Sequence, residues 1–392
     1  MLMPIKYIAK EEHGRMQEIA TYCFTWMHNA RDVMKKYFQD YVEEDYALGY
    51  YDDNGTLMSQ VVCFPFEIYI DGVAMKMGGI GLVSSMPEER HGGKIGLLLK
   101  EWLAAMKDRG QVVSMLGPFS FEFYRKYGYE IGIEMLHYTI PVEYLKTFKG
   151  KYTMKAYEEK DLPCMNELYK KFAKAHNGCA VRDSLLWNEL TLSHPWDDQY
   201  GRYTYVCYDN DNFKGYMIFS IKEGKMHVHE IVYDGKDAMD TLLSFIYSHQ
   251  AQINEVNILV PMDDGIQYIM PNPRIKREIQ CGMMFRVVDV KVALAMKNYS
   301  GANSGFSIKI TDPAAAWNET PLKITILNGK IDIDECNTAD LSCDIQTFSQ
   351  IFIGYLTPSM AFSLDKLRGE YKSVIEMEKA FKKSSTFNTV GF

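Results

Sequence analysis

The sequence has no long apolar run, no excess of basic residues and no paired cysteines. No apolar stretch approaches the roughly 18 residues that a membrane-spanning helix needs. The formal net charge of −8 argues against a nucleic-acid-binding protein, which would show a basic surface. The eight cysteines are scattered and none forms a Cys-x-x-Cys pair, which argues against a structural zinc site and a disulfide framework. We therefore expect reduced thiols and no metal.

The N-terminal residues Met1–Lys6 lack the basic region, apolar core and cleavage site of a signal peptide, so we expect a cytoplasmic protein. Hydrophobic residues make up 47% of the chain and charged residues 24%, which is typical of globular proteins, and 392 residues suffice for two or three domains. The acidic net charge is compatible with cationic substrates, because an acidic field attracts amines, although solubility alone also explains it.

One stretch of the sequence, from Ile80 to Tyr129, predicts a strand, a glycine-containing turn, a helix and a second strand. The first strand is Ile80–Ser85, the turn is Met86–Gly93, and the second strand is Val112–Leu116. The helix between them is indicated by apolar residues that recur on one face, namely Ile95, Leu98, Leu99, Trp102, Leu103 and Met106.

The turn has the features of a pyrophosphate site. A helix start offers unpaired backbone N–H groups and the positive end of the helix dipole. Gly92, Gly93 and Gly96 allow a ligand close to the backbone, and Arg90 adds a charged donor. The spacing fits neither the dinucleotide motif Gly-x-Gly-x-x-Gly nor the P-loop. Taken alone, the stretch is equally consistent with glycines that only shape the turn.

Two motifs here resemble the GNAT superfamily of N-acetyltransferases. Pro87–Gly93 resembles the acyl-CoA pyrophosphate arm Arg-x-x-Gly-x-Gly/Ala: Arg90 and Gly93 fit, whereas the last small position holds Ile95 and Gly96 follows it. Phe123–Tyr129 resembles the aromatic-Tyr-x-x-Phe/Tyr-Gly-Tyr signature that closes the catalytic domain. In its length, its third domain and its terminal Phe392, the chain resembles the enhanced intracellular survival (Eis) family of aminoglycoside-type acetyltransferases.

This resemblance implies a mixed α/β (α+β) fold, with tandem GNAT-like domains followed by a sterol-carrier-protein-like domain. We expect a catalytic domain at 1–150 and a degenerate second GNAT-like domain at 151–288. The second domain has only Val232–Lys236 where a pyrophosphate arm would be, with no arginine and too little glycine. Its His227 and His229 lie on one face of a strand, but no third ligand has the right spacing, so we predict no metal.

The third domain, at 289–392, is expected to deliver the C-terminus. We predict strands at Val290–Met296 and Gly305–Thr311 and a helix at Ser363–Leu367. A lipid-binding pocket is one interpretation of this domain, and a scaffold is the one we favour. The last seven residues, Thr386–Phe392, carry no charged side chain and include two aromatic rings, so we expect this tail to be buried.

The resemblance also implies the roles of individual residues. Tyr124 would protonate the departing thiolate, and the carboxylate of Phe392 would be the general base. A free α-carboxyl has a pKa of about 3.5, so burial would have to raise this pKa; a water relay is the alternative. The residues expected to hold acetyl-CoA are Val83, Ser84, Ser85, Arg90, His91, Gly92, Gly93 and Gly96.

The function implied is transfer of an acetyl group from acetyl-CoA to a primary amine, directly in a ternary complex. The acceptor is expected to be a small molecule, aminoglycoside-like or otherwise polycationic, with no nucleic-acid or membrane partner. A protein lysine or a polyamine is an alternative acceptor, because the shape of the pocket decides between them. A non-catalytic acyl-CoA- or lipid-binding protein is the other alternative. The resemblance further implies a homo-oligomer, a hexamer.

Overall fold

A computed structural model of the chain describes residues 4–24, 42–90, 92–194 and 201–391. The strands within these ranges are β1 (Ile5–Tyr7), β2 (Ala47–Tyr51), β3 (Leu57–Ile70), β4 (Val73–Ser85), β5 (Val113–Leu116), β6 (Glu130–Ile131), β7 (Glu134–Pro141), β8 (Thr153–Ala156), β9 (Tyr203–Asp209), β10 (Asn212–Lys222), β11 (Lys225–Tyr233), β12 (Glu255–Pro261), β13 (Lys276–Cys281), β14 (Met284–Val287), β15 (Ser304–Thr311), β16 (Leu322–Leu327), β17 (Lys330–Glu335), β18 (Leu341–Asp344) and β19 (Arg368–Gly369).

The α-helices in the same ranges are α1 (His13–Cys23), α2 (Lys94–Asp108), α3 (Phe121–Arg125), α4 (Leu162–Ala175), α5 (Lys236–Tyr247), α6 (Ile266–Ile269), α7 (Val290–Met296), α8 (Ile345–Phe352), α9 (Pro358–Ser363) and α10 (Tyr371–Ala380). None of these described helices is long and apolar enough to cross a membrane. The described residues form two compact units: those within 4–132 and 283–384 belong to the first unit, and those within 133–282 and 385–391 belong to the second unit.

The first sheet of the first unit has the strand order β1-β2-β3-β4-β5-β14-β6. Its longest hairpin, β3–β4, turns at Asp71 and Gly72, and α2 packs against it. The apolar face predicted for this helix is confirmed: the residues Leu98, Leu99, Trp102, Leu103 and Met106 are all buried. The indole N–H of Trp102 donates a 3.0 Å hydrogen bond to the carbonyl of Val61, which ties the helix to β3.

A second sheet in this unit has the order β17-β16-β15-β18-β19, with α8 and α10 packed on β15. Two sequence predictions are wrong here. Val290–Met296 is the helix α7 and not a strand, because the Asp289 side chain caps its N-terminus and Val290, Ala293 and Leu294 are buried at helical spacing. The predicted helix at Ser363–Leu367 lies earlier, at α9, where Thr357 caps it and Pro358 begins it.

The sheet of the second unit has the order β13-β7-β12-β11-β10-β9-β8. As in the first unit, an antiparallel hairpin (β10–β11) is followed by a helix (α5) and then by a strand (β12) that pairs in parallel with the second strand of the hairpin, β11. The chain passes from the first unit to the second after Gly132 and returns after Gly282, so that β7 lies in the second sheet and β14 in the first. The domain limits at 150 and 288 stay predictions.

Candidate active site

The two parallel strands of the first sheet separate at their carboxyl ends. Pairing between β4 and β5 runs from Met77 opposite Val113 to Ile80 opposite Leu116 and then stops, whereas β4 continues to Ser85. On the edge that faces β5, residues 81–85 of β4 therefore have no ladder partner among the strands that the structure describes. An open strand edge of this kind can pair with an extended, amide-containing ligand.

A bulge lies in β4 directly beyond the point of separation. Gln60 pairs with Ser84 and Val62 with Gly81, so that Leu82 and Val83 together oppose Val61. Leu82 has a φ of 48°, a left-handed conformation that costs a non-glycine residue on the order of 1–2 kcal/mol. The Ser84 hydroxyl donates a 3.0 Å hydrogen bond to the Leu82 carbonyl and stabilises the bulge. Such bulges free backbone groups from the ladder, often beside active sites.

The turn after β4 leads into α2 through Gly93. This residue is the helix N-cap, with φ 72° and ψ 7°, which glycine adopts readily. A Cβ placed on Gly93 would meet nothing within 4 Å. The N–H groups of the first turn of a helix have no intrahelical partner. A ligand can therefore reach the N-terminus of α2 at Gly93, while His91 lies outside the described residues.

Arg90 lies on the same turn with an exposed side chain. Its Nη2 is 3.8 Å from the Cys23 sulfur, and its guanidinium carbon lies 5.5 Å from the centre of the Tyr22 ring. Among the described residues no carboxylate pairs with it. A planar cation next to a helix N-terminus, with no carboxylate partner in the described part of the chain, is suited to binding phosphate oxygens.

Tyr124 lies on the short helix α3, which is capped by the Ser120 side chain. Its side chain is 1% exposed, and its ring packs against Phe119, Phe123 and Tyr129. Burial raises its pKa well above the ordinary range of tyrosine. No described residue forms a hydrogen bond with the hydroxyl group, which therefore stays protonated and available as a donor.

Comparison with known proteins identifies the domains. Residues 4–132 match an acetyltransferase (GNAT) domain, and residues 178–287 match a second acetyltransferase (GNAT) domain. Residues 290–388 match a sterol carrier protein domain. The chain carries two GNAT acetyltransferase domains. The predicted layout of two GNAT domains and a sterol-carrier-protein-like domain is confirmed, and the chain is assigned as an N-acetyltransferase. GNAT domains use acetyl-CoA as co-substrate.

Solved structures resemble the whole chain. A GCN5-related N-acetyltransferase from Anabaena variabilis is 22% identical, with a TM-score of 0.90, over 99% of this chain and 100% of that one. A protein of unknown function from Enterococcus faecalis, described as a probable N-acyltransferase, is 27% identical, with a TM-score of 0.87, over 99% of each chain. Eis1 from Mycobacterium abscessus is 17% identical, with a TM-score of 0.80, over 99% of each chain. No curated protein matches the sequence.

One of the glycines predicted to hold the cofactor of this GNAT protein has another structural role as well. Gly96 is buried in α2, and a Cβ on it would lie 2.1 Å from the Tyr127 hydroxyl oxygen. A side chain at this position would therefore displace the Tyr127 ring from its present packing, whether or not a phosphate binds nearby. Its role in the cofactor site, like those of Val83, Ser84, Ser85, Gly92 and Gly93, stays a prediction.

The sequence did not reveal the residues that hold the Tyr124 segment in place. Arg286 on β14 is completely buried; its Nη1 donates a 2.5 Å hydrogen bond to the Tyr127 carbonyl and its Nη2 one of 2.5 Å to Asp312. The Tyr129 hydroxyl is 2.7 Å from that of Ser114 on β5. No local motif marks Arg286, which stands in an apolar strand far along the chain, and its apolar neighbours were the only signal of burial.

The second predicted catalytic group, the carboxylate of Phe392, lies outside the described residues. The residues before it belong to the second unit, where Thr386, Phe387, Asn388 and Val390 are buried. The expectation of a buried tail is therefore confirmed for these residues. Within the described ranges, no group of three or more His, Cys, Asp or Glu side chains is arranged to hold a metal ion.

Proposed function

We propose that the first unit transfers an acetyl group from acetyl-CoA to a primary amine in a ternary complex. The observation that supports this most directly is that Val83 on the open strand, Ile95 in the first turn of α2 and Tyr124 belong to one apolar cluster. A strand edge for the pantetheine arm, a helix start for phosphates and a proton donor are thus combined within one unit.

The cofactor would be held by groups of two kinds. Backbone N–H and C=O groups of Val83, Ser84 and Ser85 would pair with the amides of the pantetheine arm, as a neighbouring strand does. The N–H groups that follow Gly92 and Gly93, together with the Arg90 guanidinium, would bind the pyrophosphate. Lys94 adds a second positive charge to this turn and is held by a 2.7 Å hydrogen bond to the Tyr50 hydroxyl.

Attack of the amine on the thioester develops negative charge on the carbonyl oxygen and then expels a thiolate. A backbone N–H at the bulge of Leu82 and Val83 would stabilise the oxygen, as an oxyanion donor does. Tyr124 would supply the proton that the thiolate takes. A phenol of raised pKa is a weak acid, but a thiolate that leaves into the same apolar cluster is also destabilised by desolvation, which raises its proton affinity.

The amine must lose a proton before or during the attack. We propose the Phe392 carboxylate as the base, with a water relay as the alternative. For the acceptor, the net charge of −8 favours a cationic amine, aminoglycoside-like or otherwise polycationic. A protein lysine or a polyamine remains the alternative acceptor. We also retain a homo-oligomeric, cytoplasmic enzyme as part of the proposal.

A CoA-release assay tests this function. The protein is incubated with acetyl-CoA and separately with an aminoglycoside, a polyamine and a lysine-containing peptide, and free thiol is measured. Release that depends on the amine, with a matching acetylated product by mass spectrometry, supports the proposal and identifies the acceptor class. Acetyl-CoA binding without amine-dependent release for any acceptor would instead favour the non-catalytic acyl-CoA-binding alternative.

A further inference from the structure

The parallel strands of the second unit separate in the same way as those of the first unit. Pairing between β11 and β12 runs from Lys225 opposite Glu255 to Val228 opposite Ile258 and then stops, while β11 continues to Tyr233. The register of β11 against β10 also shifts at this point. Glu230 is therefore the second residue after the last pair, as Leu82 is in the first unit.

Leu82 lies in an open bulge, whereas the corresponding position of the second unit carries a buried carboxylate. Glu230 is 5% exposed and accepts hydrogen bonds of 2.8 and 2.5 Å from Arg182 and one of 2.6 Å from the Tyr216 hydroxyl. The Arg182 guanidinium carbon lies 3.7 Å from the centre of the Tyr169 ring and 4.6 Å from that of the Trp187 ring. Burial raises the pKa of Glu230, but Arg182 and these hydrogen bonds outweigh it, so the carboxylate is ionised.

The Arg182–Glu230 pair binds the last described part of the chain. The Thr389 hydroxyl donates a 3.2 Å hydrogen bond to Glu230 and accepts one of 3.3 Å from Arg182. Four residues earlier, the Ser385 hydroxyl donates to Asp263, which follows β12. The segment 385–391 thus contacts residues of both diverging strands or just beyond them.

Backbone hydrogen bonds set the register of this segment. Asn177 donates to the Ser385 carbonyl at 2.8 Å and accepts from the Phe387 N–H at 3.0 Å. The Phe387 ring packs edge-on against Phe172 at 5.9 Å. The segment is therefore fixed at its start by backbone and aromatic contacts. Near the end of the segment, the Thr389 hydroxyl connects it to the Arg182–Glu230 ion pair.

We propose that Arg182, Glu230 and Thr389 are positioning residues, which hold the C-terminal segment across the separated strands where a catalytic GNAT domain would bind acyl-CoA. The ion pair lies where a cofactor would bind in a catalytic domain, and it holds the segment at Thr389. This inference rests on the proposed function, because the residue whose position it controls, Phe392, carries the proposed base. Thr389→Val should therefore lower kcat and leave the KM for acetyl-CoA unchanged.

The test compares three variants of the full chain. Thr389→Val keeps the side-chain shape and removes the hydroxyl that reaches the ion pair. Thr389→Ser keeps the hydroxyl and should restore activity. Thr386→Val is the matched control, because it makes the same change in the same segment at a hydroxyl with no hydrogen-bond partner among the described residues. Measured quantities are kcat, the KM for acetyl-CoA, and hydrogen exchange of the C-terminal peptide by mass spectrometry.

We expect Thr389→Val to exchange faster in the C-terminal peptide and to lose about 10- to 100-fold in kcat, because misplacement of about 1 Å can cost that much. Thr389→Ser and Thr386→Val should stay near wild type. If the wild type is active and Thr389→Val has the same kcat as Thr386→Val, the positioning role is refuted and the proposed function stands. A wild type that acetylates no amine refutes the proposed function, and the positioning role with it. An equal loss in both valine variants would indicate general loosening and also refutes this assignment.

Discussion

The Tyr127 hydroxyl oxygen lies 2.1 Å from the position that a Cβ on Gly96 would occupy. This contact joins the first turn of α2 to the segment that carries Tyr124. The tight fit explains why a glycine stands inside an otherwise regular helix, at a cost of about 1 kcal/mol relative to alanine. Gly96, which the sequence suggested for the cofactor site, therefore also has a role in packing.

Gly96→Ala should destabilise the protein by about 1–3 kcal/mol, because the added methyl group clashes with Tyr127. Thermal or denaturant unfolding measures the loss. Tyr127→Phe removes the clashing oxygen, so the double variant should recover part of it. If the double variant is no more stable than the sum of the two single changes predicts, packing against Tyr127 does not explain this glycine.

The cofactor site is tested by Gly93→Asp against Gly93→Asn. Both side chains have the same size, both tolerate the left-handed conformation better than most residues, and both enter open space, so they differ mainly in charge. We expect Gly93→Asp to raise the KM for acetyl-CoA strongly, because it places a carboxylate where phosphates bind, and Gly93→Asn to raise it much less. Equal acetyl-CoA affinity for the two folded variants would remove the pyrophosphate assignment.

Tyr124→Phe keeps the buried ring and deletes the hydroxyl, which has no partner among the described residues. Because general acid catalysis contributes on the order of 100- to 10,000-fold, kcat should fall by about that much. Acetyl-CoA binding should change little, since the hydroxyl acts on the leaving thiolate. Steady-state kinetics with saturating acetyl-CoA measure the effect. A kcat within about twofold of wild type would assign Tyr124 to packing alone.

One added glycine after Phe392 tests the proposed base. The extension keeps every side chain and moves the terminal carboxylate by roughly 3.5 Å. Displacement on this scale can cost on the order of 100-fold, so kcat should collapse while folding and acetyl-CoA binding survive. A C-terminal purification tag should act in the same way. Normal turnover of the extended protein would direct the search to an internal carboxylate or a water.

Local patterns in the sequence predicted those helices, strands and turns that depend on interactions between residues close together in the chain. The strand, turn and helix from Ile80 onward follow from alternation, glycine and helical spacing, which act over a few residues. The strand predicted at Val290–Met296 was wrong, because the cap at Asp289 and the helical packing of Ala293 and Leu294 outweigh a weak strand propensity.

The tertiary structure alone decided which distant segments meet. β14 pairs with β5, and this pairing brings the buried Arg286 to the carbonyl of Tyr127. The bulge at Leu82 and the binding of Thr389 by Arg182 and Glu230 likewise depend on strands and side chains far apart in the chain. Such contacts leave no local signature, because a buried charge or a strained residue is stable only when the rest of the fold supplies its partners.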